Sequence, residues 1–532
     1  MKFIFVSGGV ISGVGKGISA ASIGLLLSKR GYRISFMKCD PYINVDAGTM
    51  NPIEHGEVFV TDDGYEVDMD GGHYERFTEL PLSRTNSITT GQLYSTVIQN
   101  ERSLKYDGEC VEVIPHIRDE IIRRIEKFNN KNIDILFVEI GGTVGEFQND
   151  IYYEAERFMK RKYGGDLMHI HIAYLPVPKS IGEMKTKPLQ QSVMLLHERG
   201  IFPDFIIGRS ELPIDKSRIR KIAVNAGVSE DLVFSNTDIN SIYKVPIQFY
   251  DQKLDIRILK FLKLKINPID LKSWKSLIKK IDTKFSKIIN IGIIGKYYIS
   301  GNFSLEDSYI SVIESIKIAC WYNNVCFNIV WIDSEKNIKD KLSSCDCIIV
   351  PGGFGSRGID GKIEAIKYAR ENNLPFLGLC YGMQLAVVEY ARNVLGIKDA
   401  NTTEINPKTK NPVVHIMSSQ EKKLLSKDYG GSMRLGSWDC KVKQGTKAFQ
   451  SYKQILIAER HRHRYEFNNL YRAQLENAGL IVAGESENGN LVEIVEIPNH
   501  KFFIGVQFHP EFKSRALLPH PLFSSLIKSA IK

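Results

Sequence analysis

The stretch Phe3-Ile4-Phe5-Val6-Ser7-Gly8-Gly9-Val10-Ile11-Ser12-Gly13-Val14-Gly15-Lys16-Gly17 decides how the chain begins, and residues 18–30 after it read as a helix. A short run of β-formers, a glycine cluster, one lysine and a helical pattern follow in the order in which a strand presents phosphate to a helix N-terminus. Glycines let backbone N–H groups crowd around phosphate oxygens, and Lys16 adds a compact positive charge. A plain glycine turn is the alternative. The loop departs from the common phosphate-binding pattern at both ends: Val10 holds its first glycine position and Gly17 its Ser/Thr position. With no hydroxyl beside Lys16, a magnesium ion needs carboxylates from elsewhere, because it favours hard oxygen ligands shared with phosphates. Glu139, at the end of the apolar run 133–138, falls at a sheet's carboxyl edge, where ligands gather. Asp68 and Asp70, just before Gly71 and Gly72, are the other acidic candidates.

Working outward, apolar runs at 3–6, 34–37, 133–140 and 205–207 alternate with longer helical patterns up to about residue 245. That alternation predicts a parallel sheet covered by helices. A second series begins at 288–294 and continues through 348–350 and 376–379 to a late strand at 502–506. The fold class is therefore α/β, twice over, as 532 residues demand when one core stops growing at roughly 250–300. Between 250 and 285 lie many lysines, a break at Pro268, and Trp274, Leu277, Ile278 and Ile281 at helical spacing, which reads as an inter-domain linker. Its lysines lack interleaved aromatics, so they read as a solvated face and not a nucleic-acid surface. Residues 401–412 read as a polar surface loop.

Composition excludes several classes. The chain is 43% hydrophobic and 25% charged, as in ordinary soluble proteins, and no apolar run is long enough to cross a bilayer. Residues 3–6 run straight into glycines and lack the features of a secretory signal. Eight cysteines without a CxxC pair argue for reduced thiols in a cytoplasmic protein, with Cys345 and Cys347 as packing residues. The net charge of +9 favours anionic partners without separating nucleic acid from nucleoside polyphosphates.

The second half carries a different chemistry. Gly378-Leu379-Cys380-Tyr381-Gly382 follows an apolar strand and precedes the helical run 383–392, the nucleophile-elbow pattern with Cys in place of Ser. A thiol on such a turn is exposed and meets a helix N-terminus, which favours thiolate. Far downstream come Gln507-Phe508-His509-Pro510-Glu511-Phe512, where His509 can take the Cys380 proton and Glu511 can hold the imidazole tautomer. Pro351-Gly352-Gly353-Phe354-Gly355 forms a turn able to present N–H groups to an oxyanion, with a simple tight turn as the alternative. The basic run Arg460-His461-Arg462-His463-Arg464 would ordinarily face solvent, but in an amidotransferase one arginine could hold a glutamine carboxylate.

Taken together, these segments resemble the CTP synthase family over nearly the whole chain. The resemblance is carried also by Lys38, Asp40, Pro41, Tyr42 and Asn44 to Thr49, by residues 56–64, and by His73-Tyr74-Glu75-Arg76-Phe77. It implies an ATP- and UTP-binding amidoligase domain at 1–265, a linker at 266–286 and a class I glutamine amidotransferase domain at 287–532. It implies that Gly13, Val14, Gly15, Lys16, Gly17, Ile18, Lys38 and Asp70 bind ATP, and that Asp70 and Glu139 hold Mg²⁺. UTP, or product CTP as inhibitor, would meet Ser12, Glu146, Phe147, Gln148, Lys185, Thr186, Lys187, Pro188, Leu189, Gln190 and Lys221. Cys380, His509 and Glu511 would form the triad, with Gly353, Tyr381, Gly382, Met383, Gln384, Glu404 and Arg464 around L-glutamine. His55 resembles a residue of the ammonia passage. Further implications are GTP activation, a homotetramer built as a dimer of dimers, a cytoplasmic location, and no nucleic-acid or membrane partner. Glu146 and Gln148 stand where members usually carry Asp and Glu, and Gly71, Leu189 and Tyr381 where they usually carry Leu, Thr and Leu. Two other readings stay open: a different phosphate-loop glutamine amidotransferase, opposed by the run 185–190, and a non-enzymatic scaffold with a relic glutaminase, opposed by the intact Cys380, His509 and Glu511.

Overall fold

The computed structural model describes residues 1–295, 299–300, 303–304, 306–335, 338–417, 420 and 431–531. The chain forms two compact units, Met1–Asp46 with His73–Ile278 and Ala47–Gly72 with Lys279–Lys532. Among the described residues no helix is long and apolar enough to cross a membrane.

The first unit is built on a seven-stranded, wholly parallel sheet. Its spatial order is Ser87–Thr89, Ile34–Asp40, Ile135–Ile140, Lys2–Gly9, Leu167–Tyr174, Phe205–Ser210 and Val233–Thr237. Helices cover both faces of such a sheet, so its strands are continuous apolar runs without alternation. Phe3 through Val6 and Ile135 through Val138 are accordingly buried throughout. The chain order reverses across Lys2–Gly9, and the crevice beyond the carboxyl end of such a central strand is where ligands bind in open α/β sheets. Helix Lys16–Lys29 begins there.

The lysine-rich segment read as a linker contains a packed helix, Lys272–Asp282. Trp274 is 1% exposed, donates its indole N–H to the Tyr243 carbonyl at 2.8 Å and packs on the Phe77 and Tyr243 rings. Lys272 and Lys275 stay on the solvated side. The division between the two units falls inside this helix, after Ile278.

The second unit carries a nine-stranded sheet, in the order Cys326–Asp333, Ile288–Gly295, Cys347–Val350, Phe376–Leu379, Phe503–Val506, Val492–Glu496, Ile481–Ser486, Arg434–Val442 and Leu456–His463. The first five strands are parallel and the remainder antiparallel. Cys347–Val350, Phe376–Leu379 and Phe503–Val506 are neighbours, so the turn at 351–355, Cys380 and His509 all leave the same carboxyl edge. The stretch 401–412 is less loop-like than its polarity suggests. Its ends enter strands Ala400–Thr402 and Asn411–Ile416, because Val413 and Val414 bury their side chains there.

Candidate functional site

Cys380 caps helix Tyr381–Asn393 with φ 49, a left-handed conformation that costs a non-glycine residue energy and marks a strained elbow. Close approach makes glycine necessary beside it, since a Cβ at Gly382 would lie 2.1 Å from the Val350 carbonyl oxygen. The Cys380 N–H donates to the Val506 carbonyl at 2.7 Å, tying the elbow to the strand that carries the histidine. Cys380 is only 3% exposed. The freely exposed thiol that the elbow pattern suggests is instead buried in the wall of a cavity of about 430 Å³. Gly352, Gly353, Phe354, Arg464, His509 and Glu511 help line that cavity.

His509 donates from Nδ1 to Glu511 Oε1 at 2.7 Å, and its Nε2 is buried. The ring fits only because residue 352 is glycine, where a Cβ would come within 2.7 Å of His509 Cε1. Burial acts to lower the imidazole pKa, but the Glu511 carboxylate and Cys380 outweigh it and push His509 up to about 10. A protonated, oriented imidazole beside a sulfur nucleophile can deliver its proton to a leaving amine.

Of the residues predicted around glutamine, Gly353 and Arg464 line the cavity, and Arg464 donates to Gln420 Oε1 at 3.0 Å. Glu404 accepts from the Gly355 N–H at 2.6 Å and the Tyr381 hydroxyl donates to the Gly355 carbonyl at 2.7 Å, so both brace the 351–355 turn. Gln384 donates to the Tyr465 carbonyl at 2.8 Å, and among the described residues its own Oε1 is buried without a partner. Gly382 and Met383 lie in the buried first turn of the helix.

In the first unit, Lys16 opens its helix and donates to the Gly142 carbonyl at 2.8 Å. Gly13 and Gly15 have φ of 70 and 90, and Val10 adopts φ 80, the conformation for which the usual loop employs glycine. Gly13 and Ser12 are exposed, while Val14, Gly17 and the lysine stem are buried and Ile18 half-buried. Lys38 Nζ lies 3.6 Å from both Asp40 and Glu139, and the Tyr74 hydroxyl donates to Glu139. These buried carboxylates at the carboxyl edge are the hard oxygen donors that magnesium favours. Asp70 belongs to the second unit, where it opens helix Asp70–Thr78. There burial, with the Asp70 and Asp68 charges, raises the Asp307 pKa. Among the described residues no three His, Cys, Asp or Glu side chains gather as a metal cage.

Lys185, Thr186, Lys187, Gln190 and Lys221 line one cavity of about 380 Å³ together with Arg218 and Glu183. Its walls carry more positive than negative charge, which suits a polyphosphate. Pro188 sits in the first turn of helix Lys187–Glu198, and Leu189 points into the core. Ser12 and residues 146–148 do not line this cavity. Phe147 is 93% exposed. Burial would raise Glu146, but hydrogen bonds from the Thr143 N–H and hydroxyl and the Gln148 amide hold its carboxyl below the usual range.

Two family models match the chain. One is described as CTP synthase N-terminus, over residues 2–264, and the other as glutamine amidotransferase class-I, over residues 304–529. The CTP synthase of Clostridium acetobutylicum is 50% identical over 535 residues, covering 99% of this chain and 98% of its own length. This chain belongs to the CTP synthase family. The CTP synthase of Bacillus subtilis is 46% identical over 100% of this chain and 99% of its own. A solved glutaminase domain of Trypanosoma brucei CTPS with bound acivicin is 38% identical over 46% of this chain and 94% of that one, with a TM-score of 0.42.

In this member of the CTP synthase family, sequence reasoning passed over the work of Arg460 and Arg462. Arg460 is fully buried, pairs with Asp62 at 2.7 Å and lies over the Phe59 ring. Burial acts to raise the Asp62 carboxyl, but the guanidinium holds it below its ordinary range. Arg462 donates to Glu66 at 2.7 Å and to the Gly48 carbonyl at 3.0 Å. Glu57 accepts from the first-turn N–H of Ser311 in helix Ile310–Tyr322, a favourable place for an anion. These contacts pin Ala47–Gly72 to the second unit, and Gly48, Thr49, Met50, Pro52, Glu57 and Val58 line the same cavity as Cys380. His55 Nδ1 stands 3.8 Å from Asp68. The one signal available was the period of two in the basic run, which puts arginines and histidines on opposite faces of a strand.

The histidine face meets a buried acid cluster, with His461 Nε2 3.8 Å from Glu493 and Arg434 2.7 Å from the same carboxylate. Nearby Glu466 is pushed up to about 7 by burial and by the Glu493 charge, against Arg434. A carboxyl raised in the folded state contributes stability below its unfolded pKa and loses that contribution as pH rises through about 7. Glu466→Gln, a mimic of the neutral form, is therefore expected to melt several degrees above the wild-type protein at pH 8 and level with it at pH 4. Equal melting temperatures at pH 8 would remove the argument.

Proposed function

We propose that this enzyme makes CTP by ATP-dependent amination of UTP, using ammonia released from L-glutamine and delivered internally. The observation that carries the glutaminase half is the lining of one cavity by Cys380, His509, Glu511, Gly353 and Arg464. Cys380 attacks the glutamine carboxamide, His509 moves the proton to the departing ammonia, and Glu511 holds the imidazole. Arg464 engages the α-carboxylate, and Glu404 with Gln384 receives the α-amino end. The buried Oε1 of Gln384, without a partner among the described residues, supports that last assignment.

For the ligase half, residues 13–18 with Lys38 and Asp70 bind ATP, and the lysine-lined cavity at 185–190 and 221, with Ser12, takes UTP. Phosphorylation of the uracil O4 turns a poor leaving oxygen into a good one, ammonia attacks C4, and phosphate departs. Asp70 and Glu139 would hold Mg²⁺, which supplies charge neutralisation on the transferring phosphate. Residues 146–148 contact product CTP as an inhibitor. We assign the ligase to residues 1–265, the glutaminase to 287–532 and their junction to 266–286. By the family resemblance the enzyme is a GTP-activated homotetramer. Its eight cysteines are free, which fits a reducing cytoplasm.

With UTP, ATP, Mg²⁺ and glutamine, the purified enzyme is expected to form CTP and glutamate in equal amounts, faster with GTP present. Glutamate without CTP would overturn the acceptor assignment. A GTP-independent rate would overturn the activator assignment alone.

A further inference from the structure

Gln507 is 1% exposed and has no part in the chemistry above. Its Nε2 lies 3.6 Å from Cys380 Sγ, and its Oε1 accepts from Gln384 Nε2 at 3.3 Å. Its backbone N–H donates to the Glu493 carbonyl at 2.9 Å, fixing the residue at the end of its strand. Since Gln384 supplies a donor to the carbonyl end of the Gln507 amide, the NH₂ end is the one that faces sulfur. Sγ also lies 3.7 Å from the Arg462 carbonyl. A carbonyl oxygen can only accept, so it suits the neutral thiol and repels the sulfur anion.

We propose that Gln507 is a further catalytic residue of the glutaminase, its side-chain amide donating to the Cys380 sulfur and favouring thiolate over thiol. With the sulfur proton on His509 and not on Cys380, the Arg462 carbonyl loses its donor and the Gln507 amide gains a charged acceptor. Hydrogen bonds to an ionised partner are roughly twice as strong as neutral ones, so the exchange biases the sulfur toward its reactive form. The inference rests on the reading of Cys380 as nucleophile.

The test compares Gln507→Met, which removes the donor at similar length, with Gln507→Glu, which sets a carboxylate beside the sulfur. Glutamine-dependent CTP formation is expected to fall about 10- to 100-fold in Gln507→Met and further in Gln507→Glu, by loss of one charge-assisted hydrogen bond. Formation from added ammonia should be unchanged. The pH midpoint for inactivation of glutaminase activity by iodoacetamide should move up in both variants, a shift that a merely structural residue would not produce. If one variant loses ammonia-dependent activity, the other decides; loss in both would make Gln507 a folding residue and overturn the inference. Unmoved midpoints beside an inactive Cys380→Ala enzyme would overturn it alone. A Cys380→Ala enzyme that still hydrolyses glutamine would bring down the nucleophile reading as well.

Discussion

Cys380→Ala is expected to abolish CTP formation from glutamine, by roughly 10⁴-fold or more, because removing a nucleophile disables a triad as a unit. CTP formation from added ammonium should stay within about twofold of wild type, since Cys380 belongs to the second unit and Lys16 with its glycine loop to the first. The reasoning rests on three neighbouring parallel strands that deliver the 351–355 turn, Cys380 and His509 to one edge. Alanine keeps the elbow's backbone and removes only the sulfur, so the small volume lost under the cavity leaves the fold intact. Assaying the two nitrogen sources side by side on one preparation checks this. Equal loss from both would mean that the substitution damages the ligase, and retained activity with glutamine would place the nucleophile elsewhere.

The raised imidazole pKa adds a consequence for the same half-reaction. His509, held protonated up to about pH 10 by Glu511 and Cys380, keeps a proton for the departing ammonia throughout the neutral range. The proton is lost only on the far alkaline side, so the alkaline limb of kcat/KM for glutamine belongs near pH 10.

The geometry of the Cys380 elbow and of the glycine loop before Lys16 was legible because each is fixed by local sequence: glycine where a Cβ would strike Val350 or His509, a strand before, a helix after. The joining of Ala47–Gly72 to the glutaminase unit was not legible. It depends on Asp62 and Glu66 meeting Arg460 and Arg462 some four hundred positions later, and single charges in a sequence carry no address. A run of arginine and histidine is usually a solvated surface, yet here both faces of the strand are covered and Arg460 is fully buried. Val10 is a smaller case. Valine in a glycine position looks like a weakened motif, but the loop takes φ 80 there regardless, with the strain held by the strand before it and the helix after. The linker was half legible: helical spacing in 274–281 marked the helix, while the lysines hid that Trp274 is a core residue.

Lys16→Ala is expected to stop CTP formation from both glutamine and ammonia, by at least about 10³-fold, because it removes the charge that stabilises a transferring phosphate. Its amine already reaches the Gly142 carbonyl at 2.8 Å, and its stem lies so close over Gly8 that a Cβ there would stand 2.8 Å from Lys16 Cδ. The loop is thus shaped around this one side chain. Lys16→Arg is not expected to rescue activity, since the planar guanidinium is wider than the channel left by Gly8 and replaces a point charge with a fork. Hydrolysis of glutamine without nucleotide should survive in both variants, as Cys380 and His509 belong to the other unit. The check is a paired measurement of CTP formation from ammonia and of nucleotide-free glutamate release. A Lys16→Ala enzyme that still aminates UTP would refute the phosphate-loop assignment, while one that has also lost glutamate release would show that the lysine supports folding and not phosphate transfer.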